Sequence, residues 1–192
     1  LDFATAGVGG TVTVNIGDGA GPIKAVKVYS DSFVVHKDNG IIPVSIVLVD
    51  ATSEVTKIKP LILRDQVGCS FMHALYSGED ESYFISKDKE FKAITRILQD
   101  ENASPASRSL SDFVNPTLKL FTYNAANMIV AEKKAYLSCA SSSTGTNDSV
   151  MEYDVNNKTF YFHRKPVGTW FTIDNDIFFT SPTQIQTYKW LD

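Results

Sequence analysis

Three apolar residues in a row, set between polar turns, recur four times along this chain. They occur in SDSFVVHKDNGI from Ser30, EDESYFISKDKEF from Glu79, AEKKAYLSC from Ala131 and IDNDIFFTSPTQI from Ile173. The triplets begin at Phe33, Tyr83, Ala135 and Ile177, at separations of 50, 52 and 42 residues. Aromatic and aliphatic runs this short, bounded by Asp, Asn, Gly, Ser and Pro, read as strands between tight turns. After the first, second and fourth triplets comes a polar turn (Lys37-Asp38-Asn39-Gly40, Lys87-Asp88-Lys89, Ser181-Pro182-Thr183) and then an apolar residue, Ile41, Phe91 or Ile185. A strand is also predicted just before each triplet, over 23–29, 70–76, 127–131 and 169–173. The repeating unit is strand, tight turn, strand, turn, strand.

One antiparallel sheet of this size cannot cover both of its faces by itself. Stacking it on its neighbours does, so the repeat implies the assembly. A period of 40–50 residues built from about four antiparallel strands is the pattern of β-propeller blades. The expected fold is all-β, with about four blade-like units over 1–47, 48–98, 117–165 and 166–192, as a small propeller or part of a larger one. A β-sandwich, which also has short strands and regular turns, is the alternative. In the third unit, VMEYDVNNKTFYFH (150–163) reads as a hairpin, with Asn156 and Asn157 suited to a turn at positive φ. It is expected as the outer strand pair, with Met151, Tyr153 and Val155 packed on a neighbouring unit. Two segments break the pattern. Residues 1–22 are Gly-rich around an alternating Val12, Val14 and Ile16. Residues 99–116 are polar and read as an insertion, with Ser109 or Ser111 capping a helical turn that Pro116 ends.

Composition removes several classes of function. The chain has 192 residues, 43% hydrophobic, and a formal net charge of −4. Its basic residues fall in short clusters (Lys57/Lys59, Lys87/Lys89/Lys92, Lys133/Lys134, Arg164/Lys165) interleaved with acids, which are solvated loops rather than a grip on phosphates. No apolar run approaches the roughly 20 residues that span a bilayer. No leader pattern opens the chain, which starts at Leu1. A piece of a longer or processed protein is therefore expected. Cys69 and Cys139 stand alone, with neither metal-ligand spacing nor a disulfide framework, and are expected as buried thiols.

Candidate chemistry is thin. IGDGAGP (16–22) lacks the third glycine of a dinucleotide loop and the Gly-Lys-Ser/Thr of a phosphate loop, so it reads as a turn. His36, His73 and His163 are expected on exposed or edge strands, too scattered for a joint metal site. No nucleophile elbow is present. Arg64, Arg96, Arg108 and Arg164 are too few and too irregular for a sialidase-like centre. Asn147 and Asp148 lack the spacing of a calcium loop. The acceptor patterns at Asn102, Asn147 and Asn157 read as chance. No cofactor and no catalysis are expected.

The segment QVGCSFMHALYSGEDESYFISKDKEFKAI (66–94) resembles a blade of tailed-bacteriophage tail and packaged-DNA-stabilising proteins. There a Gly-Cys or Gly-small pair precedes a strand, and a strand pair with a Phe-Ile-Ser-x-Asp pattern follows, here Phe84 to Asp88. Ser109-Leu110-Ser111 is similar to the next segment of those proteins, Tyr153-Asp154 to Phe162 to a later blade, and 169–190 to the closing one. The Gly-rich opening segment is longer than a regular blade of that kind. The resemblance implies a structural virion protein forming a ring of copies around the DNA channel, at the head–tail junction or in a tail nozzle. It would touch neighbouring tail or connector proteins and pass DNA without sequence-specific contacts or a membrane. It would be assembled in the host cytoplasm and retained in the virion tail. The alternative is a receptor- or carbohydrate-binding module, for which Trp170, Trp190 and Tyr123 are the candidate binding residues if they are exposed rather than in the core.

Overall fold

The computed structural model describes residues 21–29, 32–48, 56–60, 68–77, 81–95, 107–141 and 145–190. These form four antiparallel sheets, each a meander in chain order. The first holds β1 (Ile23–Tyr29), β2 (Ser32–Lys37), β3 (Gly40–Leu48) and β4 (Thr56–Pro60). The second holds β5 (Leu75–Ser77), β6 (Glu81–Ile85), β7 (Phe91–Thr95) and β8 (Ser107–Ser109). The third holds β9 (Thr122–Ala131), β10 (Lys134–Ala140), β11 (Ser149–Asp154) and β12 (Thr159–His163). The fourth has three strands, β13 (Trp170–Ile173), β14 (Asp176–Thr180) and β15 (Thr187–Lys189). The chain is all-β, as its repeat requires.

Every triplet falls on the second strand of its sheet, and in the second and third sheets packing explains why its residues are consecutive rather than alternating. A strand buried on both faces needs apolar side chains at every position. In β6, Tyr83 and Ile85 face the third sheet, in a core with Leu137, Met151 and Tyr153, while Phe84 faces Cys69, Leu75, Ile94 and, from β1, Ala25. In β10, Ala135 and Leu137 face the second sheet, and Tyr136 turns the other way to Trp170, Ile177 and Phe179 of the fourth. Three apolar clusters thus join the sheets in chain order, first to second, second to third and third to fourth. The opening strands of successive sheets touch as well: β1 packs on β5, β5 on β9 and β9 on β13. Main-chain bonds cross these junctions, from Cys69 N to Lys37 O at 3.0 Å and from Met128 N to His73 O at 3.1 Å.

At the first junction the close approach needs glycine. A Cβ on Gly68 would lie 2.1 Å from Lys37 O and 2.4 Å from the carbonyl carbon of Asp38. The Gly68-Cys69 pair therefore lies flat on the β2–β3 turn, and the Lys87 amide donates to Gly68 O at 3.3 Å from the β6–β7 turn.

The hairpin at 150–163 pairs as expected, and Met151 and Tyr153 are buried against the second sheet. Its turn differs. Four residues, Val155 to Lys158, link the paired Asp154 and Thr159, and the positive φ falls on Lys158 (54°) rather than on an asparagine. The Asp154 carboxylate accepts the amides of Asn156 (2.8 Å) and Asn157 (2.9 Å), which fixes the asparagines in the first half of the turn. Two-residue turns with both residues at positive φ occur at Glu132-Lys133 and Asp174-Asn175 instead.

Other expectations are corrected. The segment 99–116 is not simply an insertion: β8 pairs with β7 as the edge of the second sheet. Pro116 does not end the helical turn. It lies in the first turn of a four-residue helix, α1 (Asn115–Leu118), where a missing amide costs nothing. No side chain caps α1; the Ser111 hydroxyl accepts the Phe91 amide at 2.9 Å instead. The Lys89 ammonium satisfies carbonyls beyond the far end of α1, at Lys119 (3.1 Å) and Phe121 (2.8 Å). The unit expected over 1–47 extends to β4, which pairs with β3. His73 lies in a turn rather than on a strand, and His36 is fully buried rather than exposed. Ile185 does not replace Phe91 in the fourth unit: Phe91 is buried and Ile185 fully exposed. The expected strand at Val12, Val14 and Ile16 lies outside the described residues.

Candidate functional site

The register of the β11–β12 hairpin sets Glu152 opposite Tyr161 and Val150 opposite His163. Residues two apart share a face, so Glu152 and His163 become diagonal neighbours, and Lys134, opposite Asp154 on β10, flanks them. Glu152 is buried. Its carboxylate is held from both sides, by Lys134 Nζ at 3.2 Å and by His163 Nε2 at 2.9 Å. A carboxylate this deep requires such partners, because burying it unpaired costs several kcal/mol, by rough estimate. Together these residues form one wall of a cleft of about 570 Å³, which Asp154, Tyr161, Arg164, Lys165 and Trp190 complete.

Trp190 is placed by its own amide, which donates to Ile177 O at 2.8 Å. The His163 ring meets it edge-on at 5.5 Å, and Lys165 Nζ sits 4.5 Å from its ring centre and 4.8 Å from that of Phe179. The ammonium covers the indole face, an attraction of about 1 kcal/mol at a partly exposed site. Both Glu152 oxygens are already bonded, so the carboxylate acts as a fixed anion that orders Lys134 and His163. The cleft can offer hydrogen bonds and an aromatic edge to a polar molecule; it holds no serine, threonine or cysteine as a nucleophile.

The three sequence-derived binding candidates are core residues, so the exposure on which their binding role depended is not met. Tyr123 is 1% exposed, packs on Phe71, and donates its hydroxyl to Leu118 O at 2.8 Å; burial pushes its phenol well above the usual range. Trp170 and Trp190 are brought together, with ring centres 5.3 Å apart, in the core between the third and fourth sheets, and Tyr136 lies against both. Of the three, Trp190 alone lines the cleft. The sequence reading missed Glu152, His163, Lys134 and Lys165. The hairpin register held the signal, since pairing Asp154 with Thr159 brings Glu152 and His163 to one face.

The remaining candidates have structural roles. The Asn147 amide donates to Ala125 O at 2.7 Å and Ser138 Oγ at 3.2 Å. Burial disfavours the charge on Asp148, but the Ser141 hydroxyl and amide and the Ser149 hydroxyl outweigh this and hold its carboxyl below the usual range. Cys69 and Cys139 are free and buried, and burial raises their thiols to about 11 and about 12. Among the described residues no group of three or more His, Cys, Asp or Glu side chains could hold a metal, and no helix is long and apolar enough to cross a membrane.

What fold and cleft define is an all-β chain of four antiparallel sheets with a small mixed-charge cleft beside the third. No protein-family model matches it, and no curated protein does. Among solved structures it is similar to the computationally designed Ika4 protein, with 12% identity and a TM-score of 0.49, covering 94% of this chain and 98% of that one. It is also similar to a mutant of the Synechocystis apocarotenoid oxygenase, at 10% identity and a TM-score of 0.45, over 86% of this chain and 49% of the oxygenase, about half its length. The designed Ika8 protein aligns with a TM-score of 0.33 at 12% identity, over 88% of this chain and 70% of its own.

Proposed function

We propose that the four sheets are successive blades of a β-propeller, and that the chain is a non-catalytic structural protein. Its place is the tail or head–tail connector of a tailed bacteriophage, in a ring of copies around the DNA channel, where it takes part in DNA retention and ejection. The observation that carries the architecture is the succession of touching first strands, β1 to β5 to β9 to β13. Inner strands that meet in chain order, with outer strands splayed, are what blades around an axis have. The phage role rests on the residue pattern over 66–94, 109–111 and 153–190. Electrostatics is compatible with it. DNA passing through a ring should not be gripped, and gripping takes clustered unpaired cations. Here Lys24 pairs with Asp38, Lys92 with Glu90, Arg108 with Glu81, Lys134 with Glu152 and Lys189 with Asp176.

Light scattering on the purified full-length product, beside negative-stain images, tests this reading. A closed ring of several copies is the expected result, and a monodisperse monomer at every concentration overturns it. The cleft, with Trp190, Tyr161 and two carboxylates on its walls, favours a second reading as a receptor- or carbohydrate-binding module. A monomer that binds in a glycan screen, and loses that binding in Tyr161→Ala, would establish it.

A further inference from the structure

The cleft beside the third sheet has a lopsided supply of polar groups. Both of its carboxylates are engaged by the protein itself. Glu152 is held by Lys134 and His163. Asp154 accepts the amides of Asn156 at 2.8 Å and Asn157 at 2.9 Å with one oxygen, and the Asn157 side-chain amide at 2.7 Å with the other. The donors are not engaged in the same way. Among the described residues, the Arg164 guanidinium has no carboxylate partner and the Tyr161 hydroxyl no hydrogen bond. Among them too, the Lys165 ammonium rests on the rings of Trp190 and Phe179, at 4.5 Å and 4.8 Å, rather than on a carboxylate. Three Lys and Arg side chains against two carboxylates leave the cleft with surplus donors and surplus positive charge.

We propose that the cleft binds a sugar ring bearing an oxyanion group, a carboxylate or a phosphate, with Arg164 and Lys165 on the anion and Tyr161 against the ring. The proposal rests on reading the cleft as a carbohydrate site, and deepens it by naming the class of sugar. The hydroxyls of a neutral sugar donate as well as accept, and here they would donate to carboxylate oxygens that each hold a partner already. An oxyanion only accepts, which matches what the cleft has left over. The planar guanidinium fits the paired oxygens of a carboxylate or phosphate. Both cations are placed in advance: they lie between His163, the last paired residue of β12, and Val167, buried in the core between the third and fourth sheets. Tyr161, across the hairpin from Glu152, is 50% exposed and brings ring surface to the same cleft. The cleft, at about 570 Å³, has the size of a small-molecule site. Two adjacent cations suit one anionic group, whereas a grip on a nucleic-acid strand takes several.

Isothermal titration calorimetry on the full chain tests this, with glucuronate, glucose-6-phosphate, glucose, inorganic phosphate and a short single-stranded oligonucleotide as probes. Wild type, Arg164→Gln and Lys165→Gln are compared, and circular dichroism melts verify that each folds. Arg164 is exposed, so its substitution leaves folding intact if that of Lys165 does not. At least one of the two acidic sugars is expected to bind about tenfold more tightly than glucose, and to lose that margin in both variants. The one that does so identifies the anion as carboxylate or phosphate. If glucose binds as well as the acidic sugars, the anionic class is wrong while the carbohydrate reading stands. If no sugar binds, both fail. Inorganic phosphate as tight as glucose-6-phosphate, with no glucuronate binding, would show that the ring contributes nothing and overturn the sugar. An oligonucleotide that outbinds both acidic sugars and depends on Arg164 would overturn it in favour of nucleic acid. Variants that bind the acidic sugars as wild type does would place the site elsewhere and refute the proposal.

Discussion

Tyr153→Asp is the sharpest perturbation of the sheet stack. Tyr153 is 3% exposed on β11, with Phe160 at 4.8 Å, Phe91 at 5.3 Å and Tyr83 at 6.4 Å between ring centres. It is the point at which the third sheet receives the second. Removing a buried aromatic ring of this size costs about 3–5 kcal/mol. Placing a carboxylate in this space among aromatic rings adds several kcal/mol more, by rough estimate. The total of roughly 6–10 kcal/mol matches the whole stability of an ordinary domain, about 5–15 kcal/mol. The variant should fail to accumulate as soluble folded protein. Tyr153→Phe should melt within about 1 kcal/mol of wild type, because it keeps the ring and loses only a hydroxyl with no hydrogen bond among the described residues. Soluble yield and thermal melts by circular dichroism provide the comparison. Burial disfavours the charged carboxylate, so any folded fraction should recover as pH falls and the acid takes up its proton. A Tyr153→Asp protein that expresses and melts like wild type would show the face to be open to solvent, and the packing of third sheet on second would be refuted.

Three further outcomes are expected. Gly68→Ala should cost about 1–3 kcal/mol, because its Cβ would meet backbone rather than a movable side chain; an unchanged denaturation midpoint would exclude the close approach. Burial, aided by the Lys27 charge, lowers His36 to about 4, and neither ring nitrogen has a partner among the described residues. The unfolded state therefore takes up the proton first: stability is complete above pH 6.5 and is lost as pH falls toward 4, by about 3 kcal/mol in all. Melts at pH 7 and pH 5 should differ in wild type and converge in His36→Phe; equal melts in wild type would refute the burial. Both cysteines should resist a thiol reagent until the protein unfolds, since burial keeps them protonated, and fast labelling of the native chain would contradict that.

The sequence exposed the repeat because the repeat is written in apolar residues. Phe33, Tyr83, Ala135 and Ile177 each begin a run on a second strand, and in β6 and β10 burial on both faces calls for apolar residues throughout the run. It hid β8, because Ser107-Arg108-Ser109 is an edge strand paired through its backbone, and backbone pairing leaves no pattern in side chains. Pro116 was misread for a related reason: proline opens helices as readily as it stops them, and only the position of Val114 decides. The buried state of His36 had no local signal, since the chain around it reads as a half-exposed strand. The cleft needed cross-strand register, and the hairpin supplied half of it. Trp190 and Lys165 reach that cleft only through the packing of the fourth sheet on the third, which no spacing along the chain reports.

Joining sheets only to their neighbours in chain order gives the molecule an order of unravelling. A sheet with partners on both sides must break two contacts to open, and one at an end breaks a single one. Amide exchange should therefore be slowest in the inner strands of the second and third sheets, and fastest at β1 and β15.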